Sequence, residues 1–514
     1  MTPFTAPLDD ILFSLTHVAG AGRLPEWDDG LAREVLGHFA AFAEGEIAPL
    51  DAKGDRQGCR IAEGRVLMPD GFTEVYADYV AQGWHGVSLP EAQGGMGLPP
   101  LLHSAMSEVF AGACHALQMV TGLVPGAARV LMRFGTPAQI ARHMPELASG
   151  AALATMCLTE PGAGSDLSGI RTRATLRQEG WRIDGEKIFI SGGDQNLSPH
   201  ILHLVLARTG PAGSGTRGLS LFLCRDQDGI SVTRIEEKMG LHASPTCQLA
   251  FDDAPAELIG KEGEGLKAMF TMMNHARLDV ALQGVAHAAR AAEIARLYAT
   301  GRRQGKRADG TAAVLTDHAD VARMLECQQA LTLTARAMCH LTLVELEAGS
   351  RPALIEFLTP LCKIYATEAG IQSADIGIQV LGGYGYLTEY RIEQTYRDAR
   401  ITAIYEGANG IHALTLATRL LRLPDAAEDF AGLIAALDPT EARAAAQSRW
   451  WAQVEALRQD PDPASKAHDF ARDTLALFAA AIRAKIAAVA AHHPAPERLA
   501  AVMHPHHQEP APPL

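Results

Sequence analysis

The sequence has no excess of basic residues. It contains 45 Lys and Arg against 59 Asp and Glu, for a formal net charge of −14. A nucleic-acid-binding protein needs a basic face to neutralise phosphates, so this balance argues against that class. No CxxC pair occurs among the eight cysteines. A disulfide framework and a structural zinc site are therefore not expected, and a reducing, cytoplasmic location is favoured.

Long uncharged apolar runs are also missing. A membrane-spanning helix needs about 18 or more apolar residues, and the nearest candidate, residues 474–491, is interrupted by Arg483 and Lys485. The N-terminus, MTPFTAPLDDILF, is acidic and lacks the basic-then-apolar order of a signal peptide. What is present is the composition of a globular protein, 47% apolar and 20% charged over 514 residues. This length predicts roughly two to four domains.

The first 154 residues have a helical pattern. Apolar residues recur at spacings of three and four in 31–43 and 105–119. Thr136-Pro137 is typical of a helix N-terminus, and Gly150 of a helix end. The Gly/Pro-rich stretch LPEAQGGMGLPP, residues 89–100, is predicted as a loop.

Short β-rich runs replace this pattern over residues 155–264. They are separated by Gly, Asp and Pro, which is typical of a compact antiparallel β-domain. The runs are Trp181–Ile183, Lys187–Ile190, Leu202–Leu206, Leu219–Leu223 and Gln248–Phe251.

Helical periodicity returns over 265–424. Helices are predicted at 266–300, 316–348, 357–381 and 409–421, with a loop over 381–397. Residues 425–514 are Ala-rich and are predicted to form a helical extension with a polar tail. Trp450-Trp451 is expected to pack within that extension. Histidines at positions 492, 493, 504, 506 and 507 are expected in a disordered end, with no more than adventitious metal binding.

Two segments in the β-rich region offer groups for a ligand. Residues 157–168, CLTEPGAGSDLS, crowd hydroxyls and main-chain N–H groups into a turn that suits a planar heterocycle or a pyrophosphate. Residues 185–193, GEKIFISGG, place Phe189 as a potential aromatic wall beside the Ser191 hydroxyl. Taken singly, the first segment is better explained as an ordinary Pro/Gly turn, and the second as a half-buried strand that ends in a Gly turn.

Two further segments lie in the C-terminal helical region. Residues 379–386, QVLGGYGY, contain glycines that permit close backbone approach, but their spacing is not a Rossmann fingerprint. In 396–410, YRDARITAIYEGANG, Glu406 has apolar neighbours. Such a carboxylate has a raised pKa and can act as a base. It could equally open the helix that begins near Asn409.

Together, in this order and spacing, the four segments resemble the acyl-CoA dehydrogenase family over about residues 1–422. The resemblance implies an α+β fold: an N-terminal helical domain (1–154), a central β-barrel-like domain (155–264) and a C-terminal helical bundle (265–424), followed here by the extension (425–514). It also implies FAD as cofactor and an acyl-CoA as substrate. The reaction is removal of hydrogen from Cα and Cβ, giving a trans-2-enoyl-CoA.

The resemblance assigns site residues position by position. The resemblance implies that the flavin contacts the segment beginning at Met156, the segment 185–193 and the start of the helix near Asn409. It also implies that an arginine and the glycine segment 379–386 reach the cofactor from a neighbouring subunit. These cofactor-binding residues are Met156, Leu158, Thr159, Gly164, Ser165, Phe189, Ser191, Arg303, Gln379, Gly382, Gly383 and Asn409. A homodimer or homotetramer is therefore expected.

Glu406 matches the catalytic base of the family's commonest branch. Some members carry the base at the position occupied here by Ala276, which cannot abstract a proton. Arg277 is expected to shape the base pocket or the CoA path, or else to form a structural salt bridge. Ser165, Arg277, Tyr405 and Gly407 are the residues assigned to the substrate, and no metal ligand is assigned.

Two departures from the family pattern point to a subgroup. Ala408 stands where a Thr is usual, so one hydroxyl contact to FAD is lost and Asn409 is expected to substitute. Gln304-Gly305 replaces the usual Phe-Gly after Arg303. This form, with KMGLHASPTC at 238–247 and FTMMNHARL at 270–278, resembles the larger dehydrogenases that include 3-methylmercaptopropionyl-CoA dehydrogenase.

The expected electron acceptor is an electron-transfer flavoprotein. Three other functions remain open on the same fold: an acyl-CoA oxidase that uses O₂, a non-catalytic flavoprotein that binds DNA, and a flavin monooxygenase. The net charge of −14 weighs against the second. The presence of Glu406 weighs against the third, because such enzymes do not need the base.

Overall fold

The computed structural model describes residues 3–211, 213–225 and 229–499. The helices of these residues are α1 Leu8–Phe13, α2 Asp29–Phe42, α3 Ala48–Gln57, α4 Phe72–Ala81, α5 Pro100–Thr121, α6 Val124–Phe134, α7 Pro137–Ala148, α8 Gly265–Gly301, α9 Ala319–Ala348, α10 Pro352–Leu381, α11 Ile392–Arg400, α12 Asn409–Thr418, α13 Ala426–Leu437, α14 Glu441–Gln459 and α15 Ala467–Val489. The strands are β1 Arg60–Ala62, β2 Arg65–Leu67, β3 Ala152–Cys157, β4 Arg173–Arg177, β5 Gly180–Ser191, β6 His200–Arg208, β7 Leu219–Arg225, β8 Ile230–Ile235, β9 Thr246–Ile259, β10 Arg303–Lys306 and β11 Ala312–Val314.

The chain divides into two compact units, each built from separated stretches of sequence. Unit 1 comprises Met1–Glu44, Ser104–Gly112 and Arg277–Leu514. Unit 2 comprises Gly45–His103 and Ala113–Ala276. The predicted domains follow sequence order, whereas unit 1 unites both ends of the chain.

The seven-stranded sheet of unit 2 closes on itself. Its order is β3-β6-β4-β5-β9-β7, with β8 on β9 and an additional pairing of β6 with β7. Because β7 pairs with both β9 and β6, the path closes at β6, as the barrel-like prediction requires, and β3 is added to the outside of that ring by its pairing with β6. Most pairs are antiparallel as predicted, but β3 runs parallel to β6, and so does β4 where Arg173 meets Arg208.

The sequence-based strands are too short. The two runs predicted at 181–183 and 187–190 are one continuous strand, β5. Its register on β9 shifts near Gly185 and again between Lys187 and Ile190, and these irregularities break the alternation that a strand normally shows. At Gly185 a Cβ atom would lie 2.6 Å from the Thr172 hydroxyl, so the close approach requires glycine.

The helices of unit 2 follow their local signals. Thr136 caps α7 with a full capping box, since its hydroxyl accepts from the Gln139 N–H at 3.3 Å and Gln139 Oε1 accepts from the Thr136 N–H at 2.9 Å. The first 154 residues are not all helical, however. A hairpin, β1 paired with β2, follows α3, and its strands are too short to show a period in the sequence.

Unit 1 is a helical bundle into which the extension is built. Helices α9 and α10 pack against each other, and α15 packs against α9, α10, α12, α13 and α14. Trp450 is buried, with its ring centroid 5.0 Å from that of Phe430, and it stacks on Trp451 at 5.3 Å, as the prediction of helix packing requires. The predicted loop over 381–397 is wrong in part, because α11 begins at Ile392 within it.

One stretch of the described residues, Pro463–His492, is long and apolar enough on average to meet the criterion for a membrane span. Half of that window is buried inside the protein. Its buried side chains, among them Phe470, Leu475 and Phe478, form the contacts of α15 within the bundle. The apolar character of this stretch is thus explained by packing.

The two histidines at 492 and 493 are ordered, contrary to the prediction. His493 is buried, and its Nε2 lies 2.9 Å from Asp10 Oδ1. The Ala495 N–H donates to Nδ1 of His493, so Nε2 carries the proton that is donated to Asp10. His492 is exposed and stacks on His17 with ring centroids 4.5 Å apart. The other predicted histidines, 504, 506 and 507, lie outside the described residues.

Asp10 belongs to a buried ionic cluster that joins four parts of unit 1. The fully buried Arg336 of α9 donates from Nε to Glu108 Oε1 at 2.9 Å and lies 3.6 Å from Asp10 Oδ2. Arg498 reaches the same carboxylate at 3.4 Å. Burial works to raise the pKa of Asp10, but His493, Arg336 and Arg498 lower it overall. We call Asp10, Glu108, Arg336, His493 and Arg498 the terminal cluster.

Candidate active site

The first two ligand segments lie side by side in unit 2. Met156 is at the end of β3, and Leu158 and Thr159 follow directly. The Ile188 N–H of β5 donates to the Thr159 carbonyl at 2.9 Å. The structure therefore brings the turn after β3 against the end of β5, as the predicted shared site requires.

A buried ion pair fixes this junction. Lys187 Nζ donates to Glu160 Oε1 at 2.9 Å and to the Leu158 carbonyl at 2.8 Å, and Lys187 is fully buried. Glu160 also accepts from the N–H groups of Arg171 and Thr172. Burial works to raise the pKa of Glu160, but Lys187 and these hydrogen bonds lower it overall. The carboxylate is thereby held ionised at the centre of the turn.

Four of the groups predicted to face the cofactor, Phe189, Ser191, Gly164 and Ser165, remain accessible, whereas the predicted contact Leu158 is buried. Phe189 is 61% exposed, and its φ of 59° is in the left-handed region, while Ser191 two residues later is half-buried. Gly164 and Ser165 are exposed, and no atom lies within 4 Å of a Cβ placed on Gly164. An exposed ring beside open backbone is a surface on which a planar heterocycle and a pyrophosphate can lie, so this part of the chain fits FAD.

The residues predicted to serve a neighbouring subunit are on the surface of unit 1. Arg303 lies in the exposed strand β10, and Gln379 is exposed near the end of α10. Gly382 and Gly383 follow that helix, and neither has an atom within 4 Å of a Cβ placed on it. All four are open to a ligand or to a second chain.

The candidate base lies in a short loop that we call the base loop, residues 404–408, which joins the turn Ile401–Ala403 to α12. Glu406 and Gly407 have φ values of 54° and 93°. A left-handed conformation costs a non-glycine residue on the order of 1–3 kcal/mol and persists where the surroundings hold it. Two buried donors do so here: His412 Nε2 lies 3.1 Å from the Glu406 carbonyl, and Lys363 Nζ lies 2.8 Å from the Gly407 carbonyl.

The electrostatics of Glu406 suit a general base. Desolvation by burial raises the pKa of Glu406, while Arg277 and Lys363 oppose that increase. The same burial lowers the pKa of Lys363 to about 7, against the attraction of Glu406 and Glu368. A carboxylate whose pKa lies above its usual range is a stronger proton acceptor near neutral pH than an ordinary surface carboxylate.

Asn409, predicted to bind the cofactor, is bonded inside the protein instead. It is buried, and its Oδ1 accepts from Lys363 Nζ at 2.9 Å. Its Nδ2 donates to Glu368 Oε1 at 2.8 Å and to Thr367 Oγ1 at 3.1 Å. Because these partners occupy the amide, Asn409 supports the base loop from below.

Tyr405 ties the base loop to α8. Its hydroxyl donates to Gln283 Oε1, and Gln283 Nε2 donates to Asp279 Oδ2 at 3.3 Å. Burial raises the pKa of Tyr405 well above its usual value, so the phenol stays protonated and remains a donor. Arg277 lies on the same helix and acts electrostatically on Glu406.

Sequence reasoning did not assign roles to Lys187, Lys363 and His412. Lys187 and Lys363 are charged residues within otherwise apolar runs, KIFIS in β5 and TPLCKIYA in α10. That pattern was the available signal, since a buried charge needs a partner. The partners are Glu160 and the base loop, which are distant in sequence, so the pattern alone could not identify them.

Three family models match consecutive parts of the chain. The acyl-CoA dehydrogenase N-terminal domain matches residues 32–151, the middle domain 155–254 and the C-terminal domain 263–421. Together they span more than half of the sequence. The first two ligand segments lie in the middle domain and the other two lie in the C-terminal domain.

Two curated relatives agree with these models. The chain is 39% identical over 470 residues to 3-methylmercaptopropionyl-CoA dehydrogenase of Ruegeria pomeroyi, an alignment that covers 85% of this chain and 79% of that one. It is 34% identical over 457 residues to a broad-specificity linear acyl-CoA dehydrogenase of Mycobacterium tuberculosis, covering 80% and 74%.

A solved structure gives the same fold. The acyl-CoA dehydrogenase of Bacillus anthracis complexed with FAD superposes with a TM-score of 0.77 at 24% identity, over 93% of this chain and 86% of that one. At this identity the likeness concerns the fold alone. The family models and curated relatives carry the assignment: the chain belongs to the acyl-CoA dehydrogenase family, the FAD-dependent oxidoreductases of acyl-CoA thioesters.

Proposed function

We propose that Glu406 is the base that removes the α-proton of a short or medium acyl-CoA, and that the product is the trans-2-enoyl-CoA. The observation that carries this proposal is the setting of Glu406. It is a half-buried carboxylate whose pKa is raised by desolvation, in a left-handed turn whose two carbonyls are held by buried donors. A small apolar residue would fill this space at a lower cost in free energy, so packing alone does not explain a glutamate here.

The chain's own groups divide the work. Glu406 takes the proton from Cα, and its main-chain N–H is the polarising donor for the thioester oxygen, which makes that proton more acidic. Arg277 and Lys363 limit how far the pKa of Glu406 rises, so that it remains ionised in the working enzyme. Phe189 and Ser191 support the cofactor ring. FAD, when bound, supplies the acceptor for the hydride from Cβ.

The substrate proposal rests on the relatives. We propose 3-methylmercaptopropionyl-CoA or another short acyl-CoA because the relative with that substrate in its name is 39% identical over 85% of this chain. Anaerobic titration of the purified flavoprotein with a panel of acyl-CoAs, including this one, identifies the class. Substrates bleach the flavin absorbance, and a panel without any bleaching compound contradicts the proposed acyl range.

The variant Glu406→Gln tests the base. We expect loss of flavin reduction by about 10³-fold or more with FAD retained, because the amide cannot accept the proton. A second measurement isolates the base: exchange of the α-protons of a 3-thia-acyl-CoA with D₂O. That analogue has sulfur at the β-position and therefore no β-hydrogen to transfer.

The matched control is Glu441→Gln, an exposed glutamate in the first turn of α14. This substitution should leave the rate of flavin reduction and the rate of α-proton exchange unchanged. Persistence of α-proton exchange in Glu406→Gln would assign the base to another residue.

We further propose an electron-transfer flavoprotein as acceptor and a homodimer or homotetramer as the assembly. The exposed Arg303 and Gln379, with the open Gly382 and Gly383, support a site that a second chain completes. Light scattering of the holoenzyme tests the assembly.

The electron acceptor is tested by assaying turnover under air. Peroxide formation at the turnover rate would identify an acyl-CoA oxidase in place of a dehydrogenase that uses an electron-transfer flavoprotein. The free thiols of all eight cysteines support the proposed reducing, cytoplasmic location.

A further inference from the structure

The base loop contains two successive left-handed residues, and each carbonyl has a side chain as its donor. Glu406 and Gly407 do not belong to a helix or strand, so their carbonyls lack the backbone partners that regular structure provides. The Glu406 carbonyl accepts from His412, and the Gly407 carbonyl accepts from Lys363. Both donors are buried, on α12 and α10 respectively.

His412 is a neutral donor fixed against Gly407. Burial lowers the pKa of His412 to about 3, and Lys363 and Arg277 act in the same direction. A carbonyl only accepts, so Nε2 carries the proton. A Cβ atom on Gly407 would lie 2.9 Å from this Nε2, and the backbone there has φ of 93°. The imidazole therefore packs directly on the glycine that follows the base.

Lys363 is the second donor and a local positive charge. Its Nζ bonds to the Gly407 carbonyl at 2.8 Å and to Asn409 Oδ1 at 2.9 Å. The charged and titratable groups that act at this point are Arg277 of α8, Glu368 of α10, Arg400 of α11, Glu406 of the base loop and His412 of α12. Among these, Glu406 and Glu368 stabilise the ammonium, and Arg277 opposes it.

We propose that Lys363 and His412 are positioning residues for the reaction: they hold the carbonyls of Gly407 and Glu406 and so present the Glu406 carboxylate in one orientation, and the Lys363 ammonium favours the ionised form of that carboxylate. This inference rests on the proposed role of Glu406 as base. Removing one donor leaves a half-buried carbonyl without its partner, so the loop is expected to leave its left-handed conformation.

The first test is Lys363→Met, which keeps an unbranched apolar stem and removes the donor and the charge. Three results are expected. The α-proton exchange of a 3-thia-acyl-CoA falls, by up to about 100-fold, because the base is misplaced. The acid limb of kcat/KM moves to higher pH, because a positive charge that lowered the pKa of Glu406 is gone. Amide hydrogen exchange in the peptide spanning 401–412 becomes faster in the holoenzyme.

Further variants separate charge from geometry. Lys363→Arg keeps the charge and is expected to retain the wild-type acid limb. His412→Leu removes a neutral donor and is expected to speed amide exchange with a smaller change in the acid limb, whereas His412→Gln keeps an N–H donor and restores protection. Lys466→Met, on an exposed lysine of unit 1, is the matched control and should match the wild type.

Amide exchange is the deciding measurement. Unchanged protection of 401–412 in both Lys363→Met and His412→Leu would overturn the proposal, whatever the catalytic rates. If Lys363→Met does not yield a folded holoenzyme, His412→Leu against His412→Gln carries the test alone. The failure of the proposed function is distinguishable, since it would appear as retained α-proton exchange in Glu406→Gln.

Discussion

At the scale of single residues, a strained backbone conformation occurs both at the residue proposed to contact the cofactor and at the residue proposed as the base. Phe189 and Glu406 are two of the seven described non-glycine residues with a positive φ. The others are Glu63, Leu241, Asp253, Arg391 and Asp425. Such residues persist where surrounding bonds impose them, and they collect at functional sites. The sequence predicts roles for these two residues, but it does not predict the conformation of Glu406, which depends on donors elsewhere in the chain.

The ion pair of Lys187 and Glu160 gives a prediction at this scale. Lys187→Met should destabilise the protein by about 3 kcal/mol, because it leaves a buried carboxylate without its counter-charge. Thermal unfolding of the holoenzyme should show a lower Tm and easier loss of FAD. The double variant Lys187→Met with Glu160→Gln should recover part of the loss, since no unpaired charge remains.

Lys267→Met is the control, because that lysine is 69% exposed and its ion pair is with the nearby Glu264, at 3.9 Å. Equal Tm values for Lys187→Met and Lys267→Met would show that the buried pair does not stabilise the junction of the two flavin segments.

Glu406 could be identified from the sequence because its type, its apolar neighbours and its place among four ordered segments converge. Lys363 and His412 could not, since nothing local distinguishes a lysine that holds a carbonyl 44 residues away from any other buried lysine. The partners of the Asn409 amide could not be predicted for the same reason. Its amide was expected to face the cofactor, but Lys363, Thr367 and Glu368 are brought to it by the packing of α10 against α12.

Elements whose ends carry their own signals were predictable, and elements defined by pairing were not. The cap of α7 and the start of α8 were found from local residues. Strand β5 was divided in two, because its bulges break the alternation, and strand β3, with its parallel pairing to β6, was not predicted. Pairing partners and register are long-range properties, and an interrupted period hides them.

The α7 cap gives a prediction at the element scale. Thr136→Ala should cost about 1 kcal/mol, because the Gln139 N–H loses its acceptor at the helix start. The matched control is Thr300→Ala, an exposed threonine in the last turn of α8 whose hydroxyl bonds back to the Arg296 carbonyl. The measurement is Tm by thermal unfolding. A drop of equal size in both variants would indicate a general loss of threonine contacts and would remove the cap as the cause.

At the scale of the whole molecule, the helices of the C-terminal extension are part of the helical bundle of unit 1. Helices α13–α15 pack with α9, α10 and α12, and the terminal cluster joins Asp10 of α1 to His493 beyond α15. The prediction of an appended extension was therefore right about its helices and wrong about the segment at 492–493. A histidine between His492 and Pro494 gave no sign of an acidic partner nearly 500 residues away in the sequence.

The terminal cluster gives a prediction at this scale. His493→Phe should lower the Tm by several degrees, because Asp10 loses a buried hydrogen bond, at a cost of about 1–3 kcal/mol. His492→Phe is the control next in sequence, since it keeps an aromatic ring to stack on His17. Equal Tm values for the two variants would mean that His493 contributes nothing beyond the volume of its ring.

The composition of unit 1 has a consequence for synthesis on the ribosome. Unit 2 draws on residues 45–276 alone and has all of its strands and helices once that part of the chain has emerged. Asp10, by contrast, precedes unit 2 in the sequence, and its partners His493 and Arg498 are separated from it by more than 480 residues. The N-terminal helix therefore gains Arg336 as a partner only after unit 2 has been made, and His493 and Arg498 later still, and it is a segment on which a chaperone could act in that interval.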